Sequence, residues 1–63
     1  MTIIGYRRGA DSISAIKAVR QHTGRSLVDS KRLIEAVLEG KAVKLDEDIV
    51  LREELTDLNF IVH

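Results

Sequence analysis

Residues 11–40 read DSISAIKAVRQHTGRSLVDSKRLIEAVLEG, and this stretch decides the fold. Asp11 is an N-cap, because a short carboxylate accepts hydrogen bonds from the free N–H groups of a helix's first turn. From Asp11 the chain reads as helical to about His22, and Gly24, which takes up the left-handed conformation without penalty, ends the helix. Ser26 caps a second helix, with Asp29 three residues on as a weak capping-box partner. Leu27, Ser30, Leu33, Ile34, Val37 and Leu38 then recur at helical spacing until Gly40 stops the pattern.

Outward from these two helices the chain is short on both sides. Thr2 to Arg7 carries Ile3, Ile4 and Tyr6 before Gly9, a strand signal despite Gly5 inside it. Lys41 to Leu45 alternates Lys44 with Val43 and Leu45 and predicts a short edge strand. Asp46 is read as the cap of a third helix, with Glu47 and Asp48 complementing its dipole and Ile49, Leu51, Leu55 and Leu58 on its buried side. Asn59 is suited to a left-handed stop, after which Phe60, Ile61 and Val62 form a closing strand. The predicted order is β-α-α-β-α-β. A sheet this small needs one face covered, so the expected fold is an α/β domain of the α+β type. It is a two-layer sandwich with three helices on one face of a three-stranded sheet, and residues 1–63 form a single domain.

Composition narrows the function classes. A chain of 63 residues buries only about 60% of the surface its unfolded form exposes, and it has no cysteine for a disulfide or thiolate metal site. Hydrophobic packing alone must hold it. Ten basic and ten acidic residues cancel, which removes the overall pull on phosphate backbones that a basic nucleic-acid binder shows. The apolar runs fall far short of the roughly 20 residues of a membrane span, and no segment resembles a signal peptide. The expectation is a soluble, cytoplasmic monomer without a membrane partner.

At about 100° per residue, Ser12, Ala15 and Val19 share one side of the first helix, with Ile16 at its border, and form the natural core face. Ile13, Lys17 and Arg20 line up on the other side at spacings of four and three. An apolar anchor bordered by long cations is a common composition for a protein-binding patch, although the same residues also make an ordinary solvated face.

The run Ile16, Lys17, Ala18, Val19, Arg20, followed by Thr23 and Gly24 and then by Leu27, Lys31, Leu33, Ile34 and Glu35, resembles the C-terminal domain of the bacterial ribosomal stalk protein. The resemblance covers essentially the whole chain, and beyond Glu35 it is mainly one of pattern. Gly9 falls where that domain turns from its first strand into its first helix. The resemblance implies the same order of elements and a non-catalytic role in translation, the recruitment of GTPase translation factors through the first two helices. Carried over, Ile13, Ile16, Lys17, Arg20 and Lys31 match the factor-binding face, the isoleucines giving apolar contact and the cations pairing with carboxylates of the partner. Ser12 and Val28 stand where the family usually has lysines, and Arg25 and Ser26 replace an apolar residue and a glycine. The dimerisation segment and hinge that tether the family's domain are absent from the sequence, which suggests an independent decoy or regulator, such as one a phage encodes.

Other chemistry has weaker signals. Asp46, Glu47 and Asp48 read as helix-start acids in preference to a metal site, and no glycine-rich phosphate loop is present. His22 lies near Thr23 and Asp29, but no activated nucleophile supports a triad, so neither a catalytic residue nor a cofactor is expected. Arg7, Arg8, Arg20 and Arg25 offer a rival reading as a small binder of nucleic acid or the transcription machinery. The aromatics Tyr6 and Phe60 make a base-stacking surface a poor fit. A proteolysis adaptor of the Clp type, similar in fold, is a further rival without a specific motif here.

Overall fold

The computed structural model describes residues 1–63. Its elements are β1 (Thr2–Tyr6), α1 (Ser12–Thr23), α2 (Leu27–Leu38), β2 (Val43–Lys44), α3 (Ile49–Asp57) and β3 (Phe60–Val62), in the order the sequence predicts. The strands form one antiparallel sheet in the order β2-β1-β3. Ile3 lies opposite Val43 on one side and Val62 on the other, and the register slips between Ile3 and Gly5, so that Gly5 faces Ile61 and Tyr6 faces Phe60. An irregularity of this kind adds a residue to β1 and bends it.

Local signals place the helices. Asp11 caps α1 by accepting from the Ser14 N–H at 3.0 Å and from the Ser14 hydroxyl at 2.7 Å. The bond from the Ser14 backbone, the larger influence, holds its carboxyl below the ordinary aspartate range. Gly24 closes α1 at φ 71°, its N–H donating to the Arg20 carbonyl at 3.1 Å. Ser26 then accepts from the Asp29 N–H at 3.1 Å and starts α2. Asn59 turns α3 into β3 at φ 70°, and its side-chain amide reaches the Gly9 carbonyl at 3.4 Å, which ties the two turns at this end of the sheet together.

Four expectations need correction. The cap of α3 is Asp48, not Asp46: its Oδ1 accepts from both Val50 and Leu51 N–H at 3.1 Å, so the helix starts where one carboxylate satisfies two donors. Ile49, read as buried, is 68% exposed, because at about 100° per residue it points roughly 160° away from Leu51 and roughly 120° away from Leu55, the two residues of α3 that are fully buried. Leu27, read with the apolar stripe of α2, lies on the side of Ile34 but is the first residue of the helix and is 52% exposed. The second strand is limited to Val43 and Lys44, since Lys41 still donates its N–H back to the Ala36 carbonyl of α2 at 3.0 Å; Leu45 extends the contact by donating its N–H to the Met1 carbonyl at 2.9 Å.

The helices divide the work of covering the sheet. α2 packs on β1 and β2, α3 packs on β3, and α1 lies against both helices without its backbone approaching a strand. Ala15, Ala18 and Val19 are the residues α1 buries, and two alanines let its backbone sit close to its neighbours. They join Ile3, Ile34, Val37, Leu45, Leu51, Leu55 and Phe60 in one core. Ser30 is the polar residue in that core, and its hydroxyl has no hydrogen-bond partner. No helix is long and apolar enough to cross a membrane.

Candidate docking face on helices α1 and α2

Burying Ala15, Ala18 and Val19 turns the opposite side of α1 outward. Ile13, Lys17 and Arg20 are all exposed there, Ile13 by 67%. Ile16 is half-buried and packs against the core, so it borders the stripe and contributes only part of its surface. Lys31 is exposed on α2. The turn of residues 24–26 folds α2 back along α1, and at about 1.5 Å per residue Arg20 and Lys31 stand level near the turn while Ile13 lies about 10 Å further along α1. Five residues are thus spread over one helical hairpin, with three cations and one large exposed apolar side chain.

Val28, 57% exposed, and Leu27 add apolar surface beside Lys31 that periodicity had not assigned to the face. Their signal was positional: both lie in the first two places after the Ser26 cap, where a helix has not yet reached the core.

Ion pairing in the molecule is concentrated around α3 and the loop before it. Two ion pairs, Met1–Glu47 and Arg52–Glu47, and two carboxylate contacts of the His22 ring exist within the chain, and all involve the acids of α3 and the loop before it. Glu47 receives both Arg52 Nε and Nη2 at 3.0 Å and lies 3.3 Å from the Met1 ammonium. The Arg52 guanidinium is the main reason its carboxyl sits below the ordinary glutamate range, and the same bond raises Arg52. Lys17, Arg20 and Lys31 enter no pair. The same is true of Arg7, Arg8, Arg25, Arg32, Lys41 and Lys44, and Lys17 also acts through space on Asp11; a partner carboxylate still has no internal ion pair to displace at these three cations.

His22 has a different setting from the one its sequence neighbours suggested. Its Nδ1 lies 3.4 Å from Asp48 Oδ2 and its Nε2 lies 3.3 Å from Glu54 Oε2, so the ring joins the end of α1 to the start of α3. Thr23 donates its hydroxyl to the Val19 carbonyl at 2.7 Å, and Asp29 lies in the first turn of α2. No nucleophile–base–acid chain forms around His22. The acids Asp46, Glu47 and Asp48 also part company: Asp48 caps α3 and Glu47 holds Arg52. A shallow groove between Lys17 and Gln21 of α1 and Glu54 and Asp57 of α3 runs beside the stripe. Arg7 and Arg8 sit before α1 while Arg20 and Arg25 sit at its far end, about 18 Å away, so the four arginines make two sites and not one basic patch.

Compared with known proteins, the chain matches no family model, and neither a curated protein nor a solved structure matches it.

Proposed function

We propose that the chain is a non-catalytic binding module that docks a translation GTPase, or a related ribosome-associated protein, on the outer face of the α1–α2 hairpin. The observation that carries this reading is the stripe of Ile13, Lys17 and Arg20 with Lys31 beside it: exposed, cationic and free of internal ion pairs. The likeness of the residues from Ile16 to Glu35 to the ribosomal stalk domain supplies the class of partner. Ile13 anchors, Ile16 fills the floor beside it, and the three cations steer an acidic surface into place and set its register. The separation of Arg7 and Arg8 from Arg20 and Arg25 removes the geometric support for the nucleic-acid reading.

Titration calorimetry of the purified chain against a bacterial elongation-factor GTPase tests the proposal. Binding is expected for the native sequence, weakening as salt rises, and the Lys17→Glu/Arg20→Glu variant is expected to lose at least about tenfold in affinity, since like charges then face the partner's acids. Undetectable binding by the native chain, or equal binding by a variant with an unchanged circular-dichroism spectrum, refutes the reading.

A further inference from the structure

The turn after α1 and the loop before α3 are opposite walls of one cleft, His22, Thr23 and Arg25 on one side and Asp46, Glu47 and Asp48 on the other. α2 and α3 both begin at this cleft and flank α1, so they start at the same end of the molecule. Their first, second and fifth positions correspond, while the third and fourth, Asp29 and Ser30 against Leu51 and Arg52, do not. Leu27 and Ile49 directly follow the caps Ser26 and Asp48, Val28 and Val50 come next, and Lys31 and Glu53 stand four residues after the first helical position. The four apolar side chains are exposed by 52, 68, 57 and 51% respectively. Lys31 and Glu53 are exposed, and neither is in an ion pair.

The fifth positions, Lys31 and Glu53, carry opposite charge, in keeping with an electrical division of the chain, although Asp29 in the first turn of α2 and Arg52 in that of α3 run against it. Seven of its ten basic residues and two of its ten acidic ones lie in residues 1–34, and the remaining three and eight lie in residues 35–63. One end of the molecule therefore shows two apolar pairs, one edged by a cation and one by an anion.

We propose that this end is a self-association surface whose occupant is a second copy of the chain, docked about a two-fold axis. Leu27, Val28 and Lys31 of each copy then meet Ile49, Val50 and Glu53 of the other. A two-fold contact must be complementary to itself, and a patch of one sign repels its own image. This end carries both signs on equivalent turns, so the rotation sets each cation on an anion and each apolar pair on an apolar pair. The area places the contact in the size class of weak, transient interfaces. A stable interface buries about 800 Å² per partner, close to a fifth of the chain's 4185 Å². One end of a body measuring 26 × 22 × 18 Å supplies less. The dimer is weak, with a dissociation constant on the order of 10⁻⁴ M. The contact shares Lys31 and its apolar neighbours Leu27 and Val28 with the docking face, but it rests on the chain's own division of charge and not on the reading given to that face.

Sedimentation velocity on the purified chain alone, from about 10 μM to about 1 mM at low and at high salt, tests it. The weight-average mass should rise toward that of two chains at the top of the range in low salt and fall back as salt screens the pairs. Lys31→Glu and Glu53→Lys should each raise the dissociation constant at least about tenfold, and the double variant Lys31→Glu/Glu53→Lys should recover the native value. Both positions are exposed, and an unchanged circular-dichroism spectrum confirms that each variant folds. A monomer mass throughout, a dimer indifferent to both substitutions, or growth past two copies overturns the proposal.

Discussion

The α1–α2 hairpin and α3 are built from similar materials and use them in opposite ways. α3 and the loop before it commit charge to the fold: Asp48 caps the helix and meets His22, Glu54 meets the other side of the same ring, and Glu47 holds both Arg52 and the amino terminus. The hairpin holds itself by apolar packing, by its caps and by Gly24, and leaves Lys17, Arg20 and Lys31 without internal partners. In a chain whose charges sum to zero, the informative quantity is thus which charges are already paired. Exposed pairs add little stability, so the division matters more for what the surface can recognise than for how firmly the domain folds.

Substitutions that cross this division should break it in graded fashion. Val19→Asp places an unpaired charge in the core of the hairpin, which should cost at least about 3 kcal/mol. A domain of this size has only about 3–9 kcal/mol in total. Loss of the cooperative thermal transition, followed by circular dichroism, is the expected result, and a native-like melt would mean the core face of α1 is wrongly assigned.

Asp48→Ala tests the α3 side. It strips the cap from two N–H groups and removes one carboxylate from His22, with an expected loss of about 1–2 kcal/mol in urea unfolding. The equivalent change at Asp46, which caps nothing, should cost distinctly less; equal effects would return the cap to Asp46.

The Glu47–Arg52 pair predicts a pH signature. Arg52 favours the ionised carboxylate, so the folded-state value is depressed and the stability it contributes is present above the ordinary glutamate range. It is lost as pH falls through the lowered value. The difference in urea midpoint between the native chain and Glu47→Gln should therefore be visible near neutrality and vanish in acid. A difference that persists at low pH would mean the substitution acts through packing instead.

Lys17→Ala sits at the small end. It removes an unpaired surface cation and should change stability by no more than about 0.5 kcal/mol while weakening partner binding. A larger loss of stability would show that the hairpin's charges serve the fold after all.

Much of the architecture could be read from local chemistry. Asp11, Gly24, Ser26 and Asn59 each act through bonds or backbone conformations spanning a few residues, and each does in the structure what its type and position imply. The same holds for the outward stripe of Ile13, Lys17 and Arg20, because helical geometry fixes relative direction once Ala15 and Val19 are placed inward. Leu27 keeps the right direction but starts its helix where the core has ended, whereas Ile49 points away from Leu51 and Leu55 and never belonged to the buried side of α3. Periodicity could not choose between Asp46 and Asp48, two acids two residues apart at a helix start, since the choice depends on where the loop from β2 delivers the chain.

Sequence alone determined the order of the elements, the caps and turns that bound them, and the face of α1 that points away from the core, because these depend on interactions a few residues long. Only the tertiary structure decided that His22 answers to Asp48 and Glu54, that Lys17, Arg20 and Lys31 are left unpaired, and that the starts of α2 and α3, with Lys31 and Glu53, come to one end. Those features depend on distances between residues far apart in the chain, and such distances exist only once α1 has been packed between its two neighbours.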